Sequence, residues 1–255
     1  MTMPHQRHWR RRLTPCLTAI AAGSLLPLAG PATAAQDEST CYVNGVPGYT
    51  GTPGDDTITC TDHGLPLGEI VDAGAGDDTI TLGWIVEGQV RGGDGQDTIT
   101  FEESGVLGQS SVLNGQNGDD TFESFGTVYG AIRGGDGEDH VSVWAGAVAP
   151  SGVISGGREH DYIQVIEGFP YAGLLEGNEG DDEIYPAGTL LTSGRIKGGD
   201  GADIILLLQQ NNGRVSGGGG DDWIEMTVND GVLDGGPGFD DCFTQYNNPP
   251  INCEV

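Results

Sequence analysis

Ten aspartates, Asp56, Asp78, Asp97, Asp120, Asp139, Asp161, Asp182, Asp203, Asp222 and Asp240, recur along the chain at intervals of 18 to 23 residues. Each is the sixth residue of a nine-residue unit, and "GGDGQDTIT" at 92–100 is its clearest copy. The units begin at Gly51, Ala73, Gly92, Gly115, Gly134, Gly156, Gly177, Gly198, Gly217 and Gly235. Their fourth residue is glycine in nine copies, Glu159 being the exception. Their eighth is apolar throughout: Ile58, Ile80, Ile99, Phe122, Val141, Ile163, Ile184, Ile205, Ile224 and Cys242. Self-similarity at a period near twenty is the mark of stacked repeats, and it constrains the fold more than any bulk property of the chain.

A second apolar ladder lies two residues before each unit from the second onward: Val71, Val90, Leu113, Ile132, Ile154, Leu175, Ile196, Val215 and Leu233. Strand side chains alternate with period two, so the eighth and tenth residues of a unit share one face. Each coil thus offers a short strand before its Gly-Asp turn and another after it. Neither buries its face alone; stacked coils bury both in a narrow continuous core. With 38 acids against 10 bases, a net charge of −28 and 7% aromatic residues, the chain has a composition that also occurs in disordered proteins. The two apolar ladders decide for folding. The expected fold is all-β, a right-handed parallel β-solenoid of about ten coils of about 20 residues, roughly 50 Å long at about 4.8 Å per strand step. The 9 to 14 residues between the eighth position and the next inward residue are expected to form loops opposite the turns, where insertions cost little.

The pattern GGxGxDxUx, with U apolar, resembles the repeats-in-toxin or hemolysin-type calcium-binding repeat over residues 51–243. The resemblance implies a β-roll whose Gly-rich turns stack with Ca²⁺ between them, held by backbone carbonyls and the sixth-position aspartates. Carried over here, the ligands are the ten aspartates with carbonyls such as those of Gly92, Asp94, Gly134, Asp136, Gly198, Asp200, Gly217 and Gly219. Residue chemistry supports this independently. Ca²⁺ takes six to eight oxygens in flexible geometry, and glycine reaches the positive φ that aims carbonyls inward. A file of carboxylates about 5 Å apart repels itself by roughly 1–3 kcal/mol per neighbouring pair until cations enter it. Ten turns enclose nine gaps, so nine ions is the upper bound. The motif occurs once per coil rather than in tandem, which predicts one row of ions and an ion-free opposite edge. "GGREHD" at 156–161 breaks the pattern, so the gaps beside it are expected to be weakened or altered.

The chain begins with Arg7, Arg10, Arg11 and Arg12, an apolar run to Leu28, and Ala32-Thr33-Ala34. This is the anatomy of a cleaved secretory signal over 1–34, although the arginines also fit a twin-arginine signal loosely. Residues 35–50 and 244–255 are read as caps on a roll spanning 51–243. The mature cysteines, Cys41, Cys60, Cys242 and Cys253, fall in pairs at the two ends. On a rod only Cys41–Cys60 and Cys242–Cys253 can meet, and disulfides suit an exported protein. The acidity argues against nucleic acid and anionic membranes and for bound cations. Extracellular polysaccharide and surface or matrix proteins remain as further partners.

His63, His140 and His160 show no catalytic spacing and read as surface residues, so the leading reading is a non-enzymatic, secreted calcium-binding module. The alternative is a carbohydrate-binding or lyase-like solenoid, for which Arg91, Arg133, Arg195, Lys197 and Arg214 would supply cationic groups. An outward ladder, Thr57/Thr59, Thr79/Thr81 and Thr98/Thr100, raises ice binding as a minor reading; the ladder ends where Glu123 replaces a threonine.

Overall fold

A computed structural model describes residues 41–61, 64–102, 105–166 and 170–254. The proposed signal segment and His63 lie outside them. The described chain is a parallel β-solenoid. Ten post-turn strands, from Thr57–Cys60 to Asp241–Asn247, stack side by side in chain order. Nine pre-turn strands, from Ile70–Ala75 to Val232–Asp234, form a second sheet. Within the nine-residue units register follows the repeat, Ile58 facing Ile80, Ile80 facing Ile99 and Val71 facing Val90; beyond a unit, one shift occurs between Leu207 and Gln210. Both apolar ladders point inward, and every member from Ile58 to Ile224 and from Val71 to Leu233 is buried.

The segment expected to be plain loop contributes a third wall. Ile85–Val86, Val106–Leu107 and Thr127–Val128 form a three-stranded parallel sheet, and single bridges continue it through Val148, Tyr171, Leu190 and Asn211. Its inward residues, Leu65, Val86, Leu107, Val128, Val148, Tyr171 and Leu190, are all buried. They close the core on the side opposite the Gly-Asp turns. Near the C-terminus this ladder turns polar: Asn211 Nδ2 donates to Asn229 Oδ1 at 2.9 Å, and Asn229 Nδ2 donates to the Asn248 carbonyl at 3.1 Å. A buried amide stack is tolerable because each rung satisfies the next. The irregular spacing of this wall hid it from the repeat pattern.

Both ends are closed covalently, by Cys41–Cys60 and Cys242–Cys253, as the cysteine positions imply. At the N-terminal end Tyr42–Val43 and Val46–Pro47 make a hairpin that pairs antiparallel with Thr57–Cys60. The hairpin covers a strand edge that would otherwise invite pairing with another chain. At the C-terminal end the last residues fold back, with bridges Asp234–Ile251 and Asp241–Glu254. No helix among the described residues is long and apolar enough to cross a membrane.

Candidate metal centre

The Gly-Asp turns need glycine for two separate reasons. In the nine turns after the first, the second and fourth residues have positive φ, as at Gly93 (129°) and Gly95 (133°). The first residue needs room for the aspartate. A Cβ on Gly115 would lie 1.8 Å from Asp120 Oδ2 and 2.8 Å from the Gly134 carbonyl of the next coil. The same two oxygens, one from the turn's own aspartate and one from the following turn, crowd the corresponding point at Gly92, Gly134, Gly198 and Gly217. Ala73 is the one first-position residue with a methyl group.

All ten sixth-position aspartates are buried, none more than 3% exposed. Their carboxylates are linked in one direction. From Asp78 onward, Oδ1 of each accepts the main-chain N–H of the aspartate one coil earlier: Asp78 from Asp56 at 2.7 Å, Asp97 from Asp78 at 2.8 Å, and so on to Asp240 from Asp222 at 3.0 Å. Oδ2 is left over. In Asp78, Asp97, Asp120, Asp139, Asp161, Asp182, Asp203, Asp222 and Asp240 this atom is buried and has no hydrogen-bond partner among the described residues. A buried carboxylate oxygen without a partner is costly, and nine in a file are tolerable only when cations or protons neutralise them.

Burial is the largest cause of the shifts in their titration. It pushes Asp97, Asp182 and Asp222 up to about 6, Asp120 and Asp139 to about 7, and Asp161 and Asp203 to about 8. The N–H bond from the preceding aspartate partly offsets the rise in each. Asp78 is also raised by burial, whereas Asp56 is lowered, chiefly by an N–H bond from Thr52.

No group of three or more His, Cys, Asp or Glu side chains gathers as a metal cluster among the described residues. The donor set is instead one carboxylate per coil plus main-chain carbonyls, which suits a hard cation of flexible coordination. The first-position carbonyls, such as those of Gly115, Gly134, Gly217 and Gly235, are the ones beside Oδ2. The third-position carbonyls of Asp94, Asp136, Asp200 and Gly219 accept N–H groups from the previous turn at 2.7–2.8 Å, so each keeps one lone pair.

The turn at 156–161 is altered as its sequence implies. Glu159 has φ 68°, and its Oε2 takes the Gly137 N–H at 2.9 Å. In the neighbouring turns that N–H goes to a third-position carbonyl. Arg158 reaches Asp136 at 3.1 Å and Glu179 at 3.6 Å. Asp161 nevertheless keeps its place in the file.

His140 and His160 lie apart on the surface. His140 Nε2 meets Ser142 Oγ at 2.9 Å and its ring stacks on Tyr162, while His160 Nδ1 meets the Asp181 carbonyl. Arg91, Lys197 and Arg214 are each ion-paired with an acid of an adjacent coil, Asp72, Glu176 and Asp234.

Fold and site together define a class: a disulfide-capped parallel β-solenoid carrying one internal row of half-satisfied aspartates. Among solved structures, one described as a hyperactive, Ca²⁺-dependent, beta-helical antifreeze protein from an Antarctic bacterium is similar to this chain, with a TM-score of 0.60 and 26% identity. The match covers 77% of this chain, which spans 61% of the length of that one. No protein-family model matches the chain, and no curated protein does.

Proposed function

We propose that the protein is a calcium-ordered solenoid, in which Ca²⁺ sits between stacked Gly-Asp turns and the row of ions makes the fold stable. The observation that carries this reading is the file of nine buried, partnerless Oδ2 atoms, those of Asp97, Asp120, Asp139, Asp203, Asp222 and Asp240 lying beside a main-chain carbonyl of the following coil or cap. The Ca²⁺ dependence of the structurally similar protein supports it. Ligands are the nine sixth-position aspartates with a partnerless Oδ2, Asp78 to Asp240, with carbonyls of the repeat resemblance. Residues 1–34 act as an export signal, and two disulfides fit an oxidising compartment. The role is that of a structural or interaction module rather than an enzyme. Thermal unfolding followed by circular dichroism, with and without chelator, tests the reading. Calcium should raise Tm by tens of degrees, and a melting curve indifferent to chelator would refute it.

Two lesser readings differ in what the surface offers. For the carbohydrate reading, a shallow groove on the pre-turn face is lined by Glu176, Glu179, Asp200 and Asp234 beside Lys197, which favours a neutral glycan over an acidic one. Ice binding keeps one favourable observation: Thr57, Thr79, Thr98 and Thr121 stand in register, as do Thr59, Thr81 and Thr100. Beyond them the columns become His140, Tyr162 and Glu183, and Glu123, Ser142, Gln164 and Tyr185, so a regular array covers the first coils only. Thermal hysteresis measured with calcium present, lost on Thr79→Tyr/Thr98→Tyr, would establish this activity; its absence in the wild-type protein would exclude it.

A further inference from the structure

The repeat alone places nine sites in the nine gaps between ten turns. The structure also gives nine partnerless carboxylate oxygens, but not in those gaps. Asp56 is absent from the set, and Asp240, which has no eleventh repeat after it, belongs to it.

The first gap holds the same pair of oxygens, the Ala73 carbonyl and Asp56 Oδ2, 2.0 and 2.6 Å from a Cβ on Gly51, but here both carboxylate oxygens already accept hydrogen bonds. Asp56 Oδ2 accepts the Thr52 N–H, and its Oδ1 accepts from Asn44 Nδ2 and, at 3.2 Å, from Thr52 Oγ1. The turn itself is built differently, since neither Thr52 nor Gly54 has the positive φ found at both positions of all the others.

At the far end the C-terminal cap imitates a coil. Ile251 pairs with Asp234, which puts Asn252 opposite Gly235, the first residue of the tenth turn. A Cβ on Gly235 would lie 2.2 Å from the Asn252 carbonyl and 2.6 Å from Asp240 Oδ2. Asn252 therefore occupies the place that Gly235 holds beside Asp222. Glu254 Oε2 accepts the Asp240 N–H at 2.7 Å, the role an aspartate of the next coil plays elsewhere. Asp240 is fully buried. Cys253, between these two residues, ties the cap to Cys242.

Resting on the calcium reading above, we propose that the row is displaced by one step: no ion binds between the first two turns, and one binds between the tenth turn and the cap, at Asp240 Oδ2 and the Asn252 carbonyl, with Glu254 adding a second negative charge. The cap replaces the central residues of a turn with Cys253 alone, so this site has fewer carbonyls and more water than the interior ones. It is the weakest of the row, and the disulfide that holds its ligands makes it sensitive to reduction.

Ion counting on the purified, calcium-dialysed protein, by native mass spectrometry, tests this with Ca²⁺ itself as probe. Asp240→Asn should bind one ion fewer than wild type, and Asp56→Asn should bind the same number. An unchanged count in Asp240→Asn overturns the cap site, and a lost ion in Asp56→Asn overturns the closed first gap. A wild-type protein that binds no ions would instead refute the calcium reading itself. Should Asp240→Asn unfold the cap, Glu254→Gln keeps an acceptor for the Asp240 N–H and removes only the charge. It should weaken the last binding step about tenfold, and a titration identical to wild type would remove Glu254 from the site.

Discussion

The two ends of the aspartate file carry different chemistry because the file has a direction. Every carboxylate receives a main-chain N–H from the coil before it, and every aspartate N–H is given to the coil after it. The first rung therefore lacks a donor and the last lacks an acceptor. Asn44, in the N-terminal hairpin, supplies the missing donor through Nδ2 to Asp56 and takes the Thr57 N–H on its Oδ1. Glu254 supplies the missing acceptor to the Asp240 N–H. An amide caps one end and a carboxylate the other, as helix ends are capped by acceptors at the N-terminus and donors at the C-terminus. The interior differs from both ends, since its carboxylates are held on one oxygen and left open on the other.

The most damaging way to break that contrast is to close an interior rung. Ala73 carries a methyl at this position, so a bulkier group is needed: Gly115→Val would push its side chain against Asp120 Oδ2 and the Gly134 carbonyl. Overpacking of a rigid interior costs about 1–3 kcal/mol. Loss of an ion present at 100 times its Kd costs about 2.7 kcal/mol more. Chemical denaturation in calcium should show a loss near the sum of the two, falling towards the overpacking cost alone in chelator. An equal loss in both conditions would detach the Gly115 position from metal binding.

Proton linkage separates interior from end with a sign that can be checked. The interior carboxylates have folded pKa values of about 6 to 8, above the ordinary value of 3.8. Without metal the fold binds more protons than the unfolded chain over that interval, so its stability is fully present below about pH 4 and falls as pH rises through 6 to 8. Asp56, shifted down, contributes the opposite slope over the range below 3.8. Melting curves in chelator should show higher Tm at pH 5 than at pH 8. In calcium the order should reverse, because protons compete for the same oxygens. A metal-free protein more stable at pH 8 would contradict the burial of the row.

Asn44→Asp attacks the N-terminal end alone. It replaces the donor to Asp56 with a second carboxylate and leaves the interior rungs untouched. Removing a hydrogen bond to a charged group costs about 1.5–3 kcal/mol, so a loss of about 2 kcal/mol is expected, with calcium affinity unchanged. A matching fall in affinity would show that the hairpin end communicates with the ions.

Much of this was legible in the sequence, because a stacked repeat writes its core in a fixed register. The Ile58 and Val71 ladders, the buried aspartates and both disulfides follow from spacing alone. The third wall did not, since Leu65, Val86, Leu107 and Val128 sit in segments of varying length and carry no glycine or aspartate to align on. Nor did the direction of the aspartate file, a property of hydrogen bonds between coils. Without it the two ends look equivalent, and nine gaps look like the nine sites. Asn44, Asn252 and Glu254 lie outside the repeat, in short caps whose roles depend on where the chain folds back. The one signal available was that Thr52 and Pro53 depart from the turn consensus, which marks the first turn as different without saying how.

The smallest expected effect comes from an interior turn that borrows the device of an end. At Gly137 the acceptor for a main-chain N–H is the side chain of Glu159 instead of a carbonyl of the next coil, much as Glu254 serves Asp240. Unlike the cap, this turn has a coil on either side and could use the ordinary bond. Glu159→Gly should restore it, with the Arg158 carbonyl taking the Gly137 N–H. It also relieves a non-glycine residue of its left-handed conformation, worth about 1–2 kcal/mol. It removes a negative charge that raises the pKa of both Asp139 and Asp161. The variant should gain about 1 kcal/mol by denaturation in chelator, and the gain should survive in calcium. If stability rises only in chelator, Glu159 is itself a ligand, and the irregular turn is a specialised site rather than a weakened one.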